Sequence, residues 1–516
     1  MASIAHRIPP LAALSLICLA CTPGPAAAQQ PAPRPFSFAT VEHLAALRAR
    51  QPYAARSSAL PRTLRRITYA QYRSIRFKPQ DALWHHDSMF DVQFYHRGFA
   101  FTHEVHIYTV SPAGVRAVQY QPSMFEFPPA LARLRLSQNL GFAGVSVHYP
   151  LNSPNRRSAV IAFLGGTYFR VLGRNQVPGV TARGLTIDTA AVSGEEFPYF
   201  TDFWLVRPAP QARTMTIYAL LQSRSISGAY RFVLTAGTIT RVTVSAVLFP
   251  RRNITQLGIA PLTSMFLYGV NSARRRFDNW RPQVHDSDGL LMHTGTGEWL
   301  WRPLQNPLRL EVNRFMDHDP RGFGLIQRDR NFANYQDPAA RFEQRPSYWI
   351  QPLGHWGYGG VELVEIPATE DIDYNVDAYW VPSAPVHAGQ PLAFSYVLSA
   401  YLHSGDRWPP GGKAVATRFG PVLRGTSQAH GWRQTLIDFS GGDLGGLRAD
   451  QPVRAVVTAT GAAVSAVSVQ RIAEDGDWRA RFTVHPTGGP IDLHCYLELD
   501  GAALTETWTY QWTPRS

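Results

Sequence analysis

Runs in which apolar and polar residues alternate with a period of two dominate this chain from about residue 67 onward, and they constrain its fold more than any other feature. Examples are Val92-Gln93-Phe94-Tyr95, Val105-His106-Ile107-Tyr108-Thr109-Val110, Thr214-Met215-Thr216-Ile217-Tyr218-Ala219-Leu220 and the run from Arg241 to Phe249. Side chains alternate between the two faces of a strand, so such runs predict antiparallel strands with one buried face. Helical periodicity is confined to a short pattern from Val41 to Arg50, carried by Leu44 and Leu47. Gly 40 and Pro 40 together make 80 of 516 residues, enough for many turns and too few for a low-complexity chain. The expected class is therefore all-β, with a large N-terminal β-sandwich over residues 29–381. A Pro/Gly/Ser/Ala stretch from Val381 to Pro391 predicts an interdomain linker at 382–391. Short strands near 394–398, 455–460, 480–485, 493–499 and 507–513 then predict a smaller immunoglobulin-like sandwich over 392–516.

The first residues read as an address. His6 and Arg7 precede an apolar run from Leu11 to Cys21, followed by a Pro/Gly break and Ala26-Ala27-Ala28, the pattern of a cleavable secretory signal over residues 1–28. The apolar run is well short of the roughly 20 residues that span a bilayer, and the sequence offers no transmembrane segment. Cys21 leaves lipoprotein processing as an alternative, although Cys18 stands where a large aliphatic residue would be expected. Cleavage after Ala28 removes Cys18 and Cys21 and leaves Cys495 alone, so no intrachain disulfide can form. Cys495 lies in the alternating run Leu493 to Leu499 and reads as a buried small hydrophobe. The formal charge is +13, yet all basic residues but Lys78 and Lys413 are Arg, and they are dispersed. Without a clustered basic face or a recognition module, no nucleic-acid partner is expected.

Candidate chemistry lies between about 280 and 380. The chain has no G-x-S-x-G elbow, no P-loop and no G-x-G-x-x-G after a strand. The Gly-rich run from Gly354 to Gly360 lacks a phosphate-loop Lys and reads as a turn. Asp317-His318-Asp319 reads as a polar loop, because neighbours in a strand point to opposite faces, so no metal site and no cofactor are expected. What remains is dense in carboxylates, Arg and Trp, as in Gly297-Glu298-Trp299-Leu300-Trp301-Arg302-Pro303 and Arg345-Pro346-Ser347-Tyr348-Trp349. Carbohydrate sites use these residue types, because indoles stack on sugar C–H faces while carboxylates and Arg bond the hydroxyls. The candidate platforms are Trp299, Trp301, Trp349 and Trp356, with Arg302 and Arg345 available either to hydroxyls or to carboxylates such as Glu298 or Glu365. A Trp-rich β core with salt bridges at its rim accounts for the same residues. Glu195 and Glu196 read as helix caps or as partners of Arg183.

A series of blocks in one order carries a family resemblance. Among them are Gly141-Phe142-Ala143-Gly144, Tyr149-Pro150-Leu151-Asn152-Ser153, Tyr168-Phe169-Arg170-Val171, Ser193-Gly194-Glu195-Glu196-Phe197-Pro198, Pro261-Leu262-Thr263-Ser264-Met265-Phe266, His285-Asp286-Ser287-Asp288-Gly289-Leu290 and Val361-Glu362-Leu363-Val364-Glu365-Ile366-Pro367. From about Phe36 to the C-terminus the chain resembles the periplasmic glucan biosynthesis proteins of the OpgG/OpgD (MdoG/MdoD) type. The resemblance implies a periplasmic location and a β-glucan polysaccharide as partner, supplied by a membrane glucan synthase. It also implies a cleft in a large N-terminal sandwich and an inverting hydrolase or transglycosylase acting on β-1,2-linked glucan. In that mechanism Asp286 is the general base, acting through a water. The general acid is an Asp shortly before Asn in a run ending Ala378-Tyr379-Trp380, and counting back without a gap that position falls on Tyr374. A phenol is a far weaker acid than a carboxylic acid whose proton affinity burial has raised. Asp373 is one residue off and would face the other way in an extended segment. Three outcomes follow: hydrolysis is lost and glucan binding remains, a local turn reaims Asp373 as acid, or different chemistry occupies the same cleft.

Overall fold

The computed structural model describes residues 35–54, 60–132, 134, 136–272, 277–403, 408–422 and 431–514. The expected leader 1–28, with Cys18 and Cys21, lies outside the described residues. The molecule is all-β, built on two large sheets packed face to face. One has ten strands and carries Asp91–His96, Phe142–Ser153, Arg156–Leu164, Tyr168–Val171, Thr181–Arg183, Leu257–Ser264, Val376–Pro382, Tyr358–Glu365 and Glu311–His318 in that spatial order, with Leu185–Ile187 also on Leu257–Ser264. The other has fifteen strands, and its central run is Ser347–Leu353, Leu392–Tyr401, Thr240–Pro250, Ile226–Thr235, Thr214–Gln222 and Tyr199–Val206.

The period of two is what joins the sheets. Along Thr240–Pro250 the residues Val242, Val244, Ala246 and Leu248 are buried, and Phe163, Phe169, Phe200, Phe203 and Phe232 meet them in one continuous core. Two pairings depart from the expected antiparallel order. Tyr199–Val206 runs parallel to His106–Ser111, and Trp299–Pro303 runs parallel to Thr507–Trp512. The short helical pattern forms Phe38–Ala49, whose Val41 and Ala45 pack on Trp204, Leu220 and Ala229 at the outer face of the fifteen-stranded sheet.

Leu392–Tyr401 differs from its expected place at the head of a separate C-terminal unit. It pairs between Thr240–Pro250 and Ser347–Leu353 and sends Phe394, Tyr396, Leu398 and Ala400 into the main core. The Pro/Gly-rich stretch before it carries the chain from one sheet to the other, and it is tied down by Gly389 N–H on Pro250 (3.0 Å) and a bridge from Val386 to Ile254. Turn-forming residues mark a chain reversal of any kind, so composition does not separate an interdomain linker from an inter-sheet crossing. Beyond residue 408 the chain builds a second layer. Lys413–Pro421, Arg433–Ser440, Trp478–Pro486 and Ala462–Arg471 form a four-stranded sheet. The other C-terminal strands, Arg454–Thr460, Ile491–Leu499 and Thr507–Trp512, extend the fifteen-stranded sheet. Ile437, Phe439, Trp478, Phe482, Cys495 and Trp508 form this layer's core together with Trp301 and Trp349 from the N-terminal half. Burial raises the Cys495 thiol far above its ordinary range, so it is an inert packing group.

Candidate functional site

Asp286 follows the two-residue strand Val284–His285, which pairs with Phe266–Tyr268, and its own N–H bonds Met265 at 2.8 Å. Its side chain is buried and receives a hydrogen-bonded ion pair from Arg345, which leaves a single 3-10 turn over Phe342–Gln344. The guanidinium of Arg345 also lies 4.1 Å from the centre of the Phe342 ring. Burial pulls Arg345 down to about 10, with Arg170 and Arg281 pushing the same way and Tyr374 and Asp371 opposing.

The segment 370–375 is a loop ahead of strand Val376–Pro382. Asn375 fastens one end, accepting from Phe266 N–H at 2.9 Å and donating to the Phe266 and Ile366 carbonyls at 3.0 Å each. Asp371 fastens the other through Arg281 at 2.7 Å, and Arg281 also holds Asp337 at 3.3 Å. Between these anchors the Tyr374 hydroxyl accepts from Arg170 at 3.1 Å. Asp373 is exposed, and among the described residues its carboxylate makes no hydrogen bond or ion pair; its N–H closes a turn on Glu370 at 3.3 Å. Asp377 is buried in the strand and accepts from Thr263 at 2.5 Å; burial pushes its carboxyl up while Arg183 pulls it down.

Tyr374 and Arg170 form one end of a cavity of about 900 Å³. Tyr95, Ser146, His148 and Tyr168 continue its polar wall, and Tyr69, Phe101, His103, Phe197 and Tyr199 line the remainder. No Asp or Glu is among the described residues that line it. Its aromatic wall is held from behind by Arg183, which is buried, pairs with Glu195, and lies 4.9 Å from the Tyr168 ring centre and 5.3 Å from that of Phe197.

The Trp candidates lie elsewhere. Trp301 is 0% exposed and stacked under Arg328 at 3.5 Å, and Trp349 is 2% exposed, so neither has a face left for a sugar. Trp299 is half-buried, stacked on His293 at 4.0 Å, and Trp356 packs beside Trp380 and donates to the Ser395 carbonyl. Arg302 is buried against Glu365 at 3.3 Å, a carboxylate partner rather than a hydroxyl. The structure therefore pairs Asp286 with Arg345, sets Tyr374 on Arg170 at the cavity, leaves Asp373 outside it, buries Trp301, Trp349 and Arg302, and leaves Trp299 and Trp356 half-buried. Asp317 and His318 end the strand Glu311–His318 instead of lying in the expected polar loop, His318 packing on Tyr358 and Asp317 accepting from Gly295, and Asp319 beyond them accepts from Gly357 at 2.7 Å and His355 at 2.9 Å. Among the described residues no cluster of His, Cys, Asp and Glu could hold a metal ion, and no helix is long and apolar enough to cross a membrane.

Comparison with known proteins places this geometry. The model of the family "Periplasmic glucan biosynthesis protein, MdoG" matches residues 36–512. The chain belongs to the MdoG family. A MdoG-family relative from Ralstonia nicotianae, "Glucans biosynthesis protein G", is 45% identical over 90% of this chain and 94% of its own length. The "Probable glucans biosynthesis protein D" of Shewanella oneidensis is 42% identical over 96% of this chain and 92% of its own. The cavity residues of this MdoG chain that sequence reasoning missed are Arg170, Tyr168 and Phe197, all inside blocks that carried the resemblance, and Tyr69, His103 and Tyr199, outside them. Only their convergence from distant strands marks them as a set.

Proposed function

We propose that this protein serves periplasmic glucan biosynthesis by binding a β-glucan chain in the 900 Å³ cavity lined by Arg170 and Tyr374, without cleaving it. The reading rests on one observation: no carboxyl group lines the cavity among the described residues, and the residue that the resemblance puts at the acid's position, Tyr374, is a phenol bonded to Arg170. Inverting cleavage needs an acid and a base on opposite sides of the bond, and of the two positions that the resemblance implies only Asp286 is a carboxylate. The aromatic wall suits the C–H faces of sugar rings, while Arg170, Ser146 and His148 suit their hydroxyls. The β-1,2 linkage and a membrane synthase upstream follow from the family resemblance, and export from the leader pattern ending at Ala28. A second reading has one observation in its favour: the turn at 370–373 frees Asp373 from strand parity. Titrating linear β-1,2-glucan into the purified protein and chromatographing the mixture separates the readings. The expected result is saturable binding with no shorter or cyclised products. Products that vanish in Asp373→Asn and persist in Tyr374→Phe would establish the second reading, and absence of binding would overturn both.

A further inference from the structure

The residue before Asp286 is held in an unusual way. His285 is 0% exposed, and both of its ring nitrogens face glutamine oxygens: Nδ1 lies 2.8 Å from Gln327 Oε1 and Nε2 lies 3.1 Å from Gln283 Oε1. Each amide's orientation is set by its other partners. Gln327 Nε2 points at the His285 and Phe342 carbonyls (3.1 and 3.2 Å) and the Tyr335 hydroxyl (3.0 Å), so its oxygen must face the imidazole. Gln283 Oε1 accepts from Val270 N–H at 3.0 Å and its Nε2 donates to Asp329 at 2.6 Å, so again the oxygen faces the ring. A neutral imidazole carries one N–H and one bare lone pair, and here the lone pair would meet an oxygen. Two acceptors require two donors.

We infer that His285 is a buried imidazolium, a positioning residue that with Gln327 aligns the Asp286–Arg345 pair. The charge has its counter-ion in place. Asp288 Oδ1 lies 3.5 Å from Nε2, and its other oxygen accepts from the N–H groups of Arg328 at 2.5 Å and Asp329 at 2.9 Å. Among the described residues the remaining ionisable groups around the ring are Tyr335, whose ring centre is 5.3 Å from that of the imidazole, Asp329 behind Gln283, and Arg330, whose charge acts on Asp288 and Tyr335; Phe266 stacks on one face. Gln327 is the connecting piece. One amide holds the His285 ring, the His285 carbonyl immediately before Asp286, and the carbonyl of Phe342, whose ring supports Arg345. Loss of the second proton would turn one His–Gln contact repulsive and release the base and its arginine together.

The inference concerns the site of the proposed function and rests on that reading for its purpose, but its test does not depend on glucan. In the full chain labelled with ¹⁵N-histidine, long-range ¹H–¹⁵N spectra at neutral pH are expected to show both His285 nitrogens protonated. Assignment comes from His285→Gln, or from the resonance moved by Gln327→Glu should that variant not fold. On raising the pH, the Nε–Hε resonance of Arg345 is expected to shift with the same midpoint as His285, and Gln327→Glu, which supplies a carboxylate to the imidazolium, should carry both midpoints upward together. A bare nitrogen on His285 at neutral pH, or an Arg345 resonance that ignores the His285 titration, would overturn the inference. Glucan affinity is expected to weaken at least about tenfold across that midpoint. An affinity that stays level across the midpoint would overturn the positioning role, whereas absence of glucan binding at every pH would count against the proposed function and leave the proton count standing.

Discussion

At the scale of single residues, the proposed function turns on Tyr374. Its hydroxyl stands at one end of the cavity with Arg170 at 3.1 Å, while Asp286 remains paired with Arg345. On the proposed reading, Tyr374→Asp supplies a carboxyl group at the position the resemblance gives the acid, and it is expected to release short products from linear β-1,2-glucan where the parent releases none. Chromatography of overnight digests checks this, and a silent Tyr374→Asp with intact binding would mean the base is no longer usable. Asp286 and Tyr374 were singled out through the family resemblance and Arg345 through its Arg/Trp-rich run, but the partner of Arg345 is Asp286 and not the Glu298 or Glu365 that the sequence suggested. Arg170, Tyr168 and Phe197 lay in the blocks that carried the resemblance without showing a role, since a role in a cavity depends on what stands opposite. The four Trp were misleading for a physical reason: a large aromatic is the residue for a sugar face and equally the residue for a core, and Trp301 and Trp349 went to the core.

At the scale of elements, alternation proved a strong guide to strands and a poor guide to partners. The runs at 92–95, 214–220 and 241–249 form Asp91–His96, Thr214–Gln222 and Thr240–Pro250. The run near 394–398 also forms a strand, but its place is the middle of the fifteen-stranded sheet. Period fixes which face is buried and is silent about which sheet buries it. Leu398, 0% exposed between the two sheets, tests this placement. Leu398→Ala is expected to cost about 2–5 kcal/mol and to lower the whole-protein melting temperature in one transition. A loss confined to a separate C-terminal transition would contradict the sheet order.

At the scale of the whole molecule, buried ion pairs bind the C-terminal layer to the rest. Arg328 holds Glu506 through two bonds of 2.6 and 2.7 Å and lies over Trp301, while Arg302 lies between Glu365 and the ring of Tyr510. Glu506→Ala would strand a half-buried cation, and a loss of about 3–5 kcal/mol is expected by denaturant unfolding. Glu365 adds a pH dependence. Burial raises it from 4.5 to about 7, against the pull of Arg302. The folded state therefore keeps a proton that the unfolded chain releases, so this contribution is complete below about pH 4.5 and is lost as pH rises through 7. The total is about 3 kcal/mol at 1.36 kcal/mol per pH unit, and melting curves of Glu365→Gln should lack that decline.

The sequence by itself determined the all-β class, the family and the helix near the N-terminus, because alternation, motif order and turn residues are local properties. Tertiary structure decided the rest: which aromatics face a cavity, which arginines meet carboxylates, and that 382–391 crosses between sheets. Those outcomes depend on contacts between residues far apart in the chain, as Arg170 and Tyr374 are, and no local pattern encodes which distant strand arrives opposite.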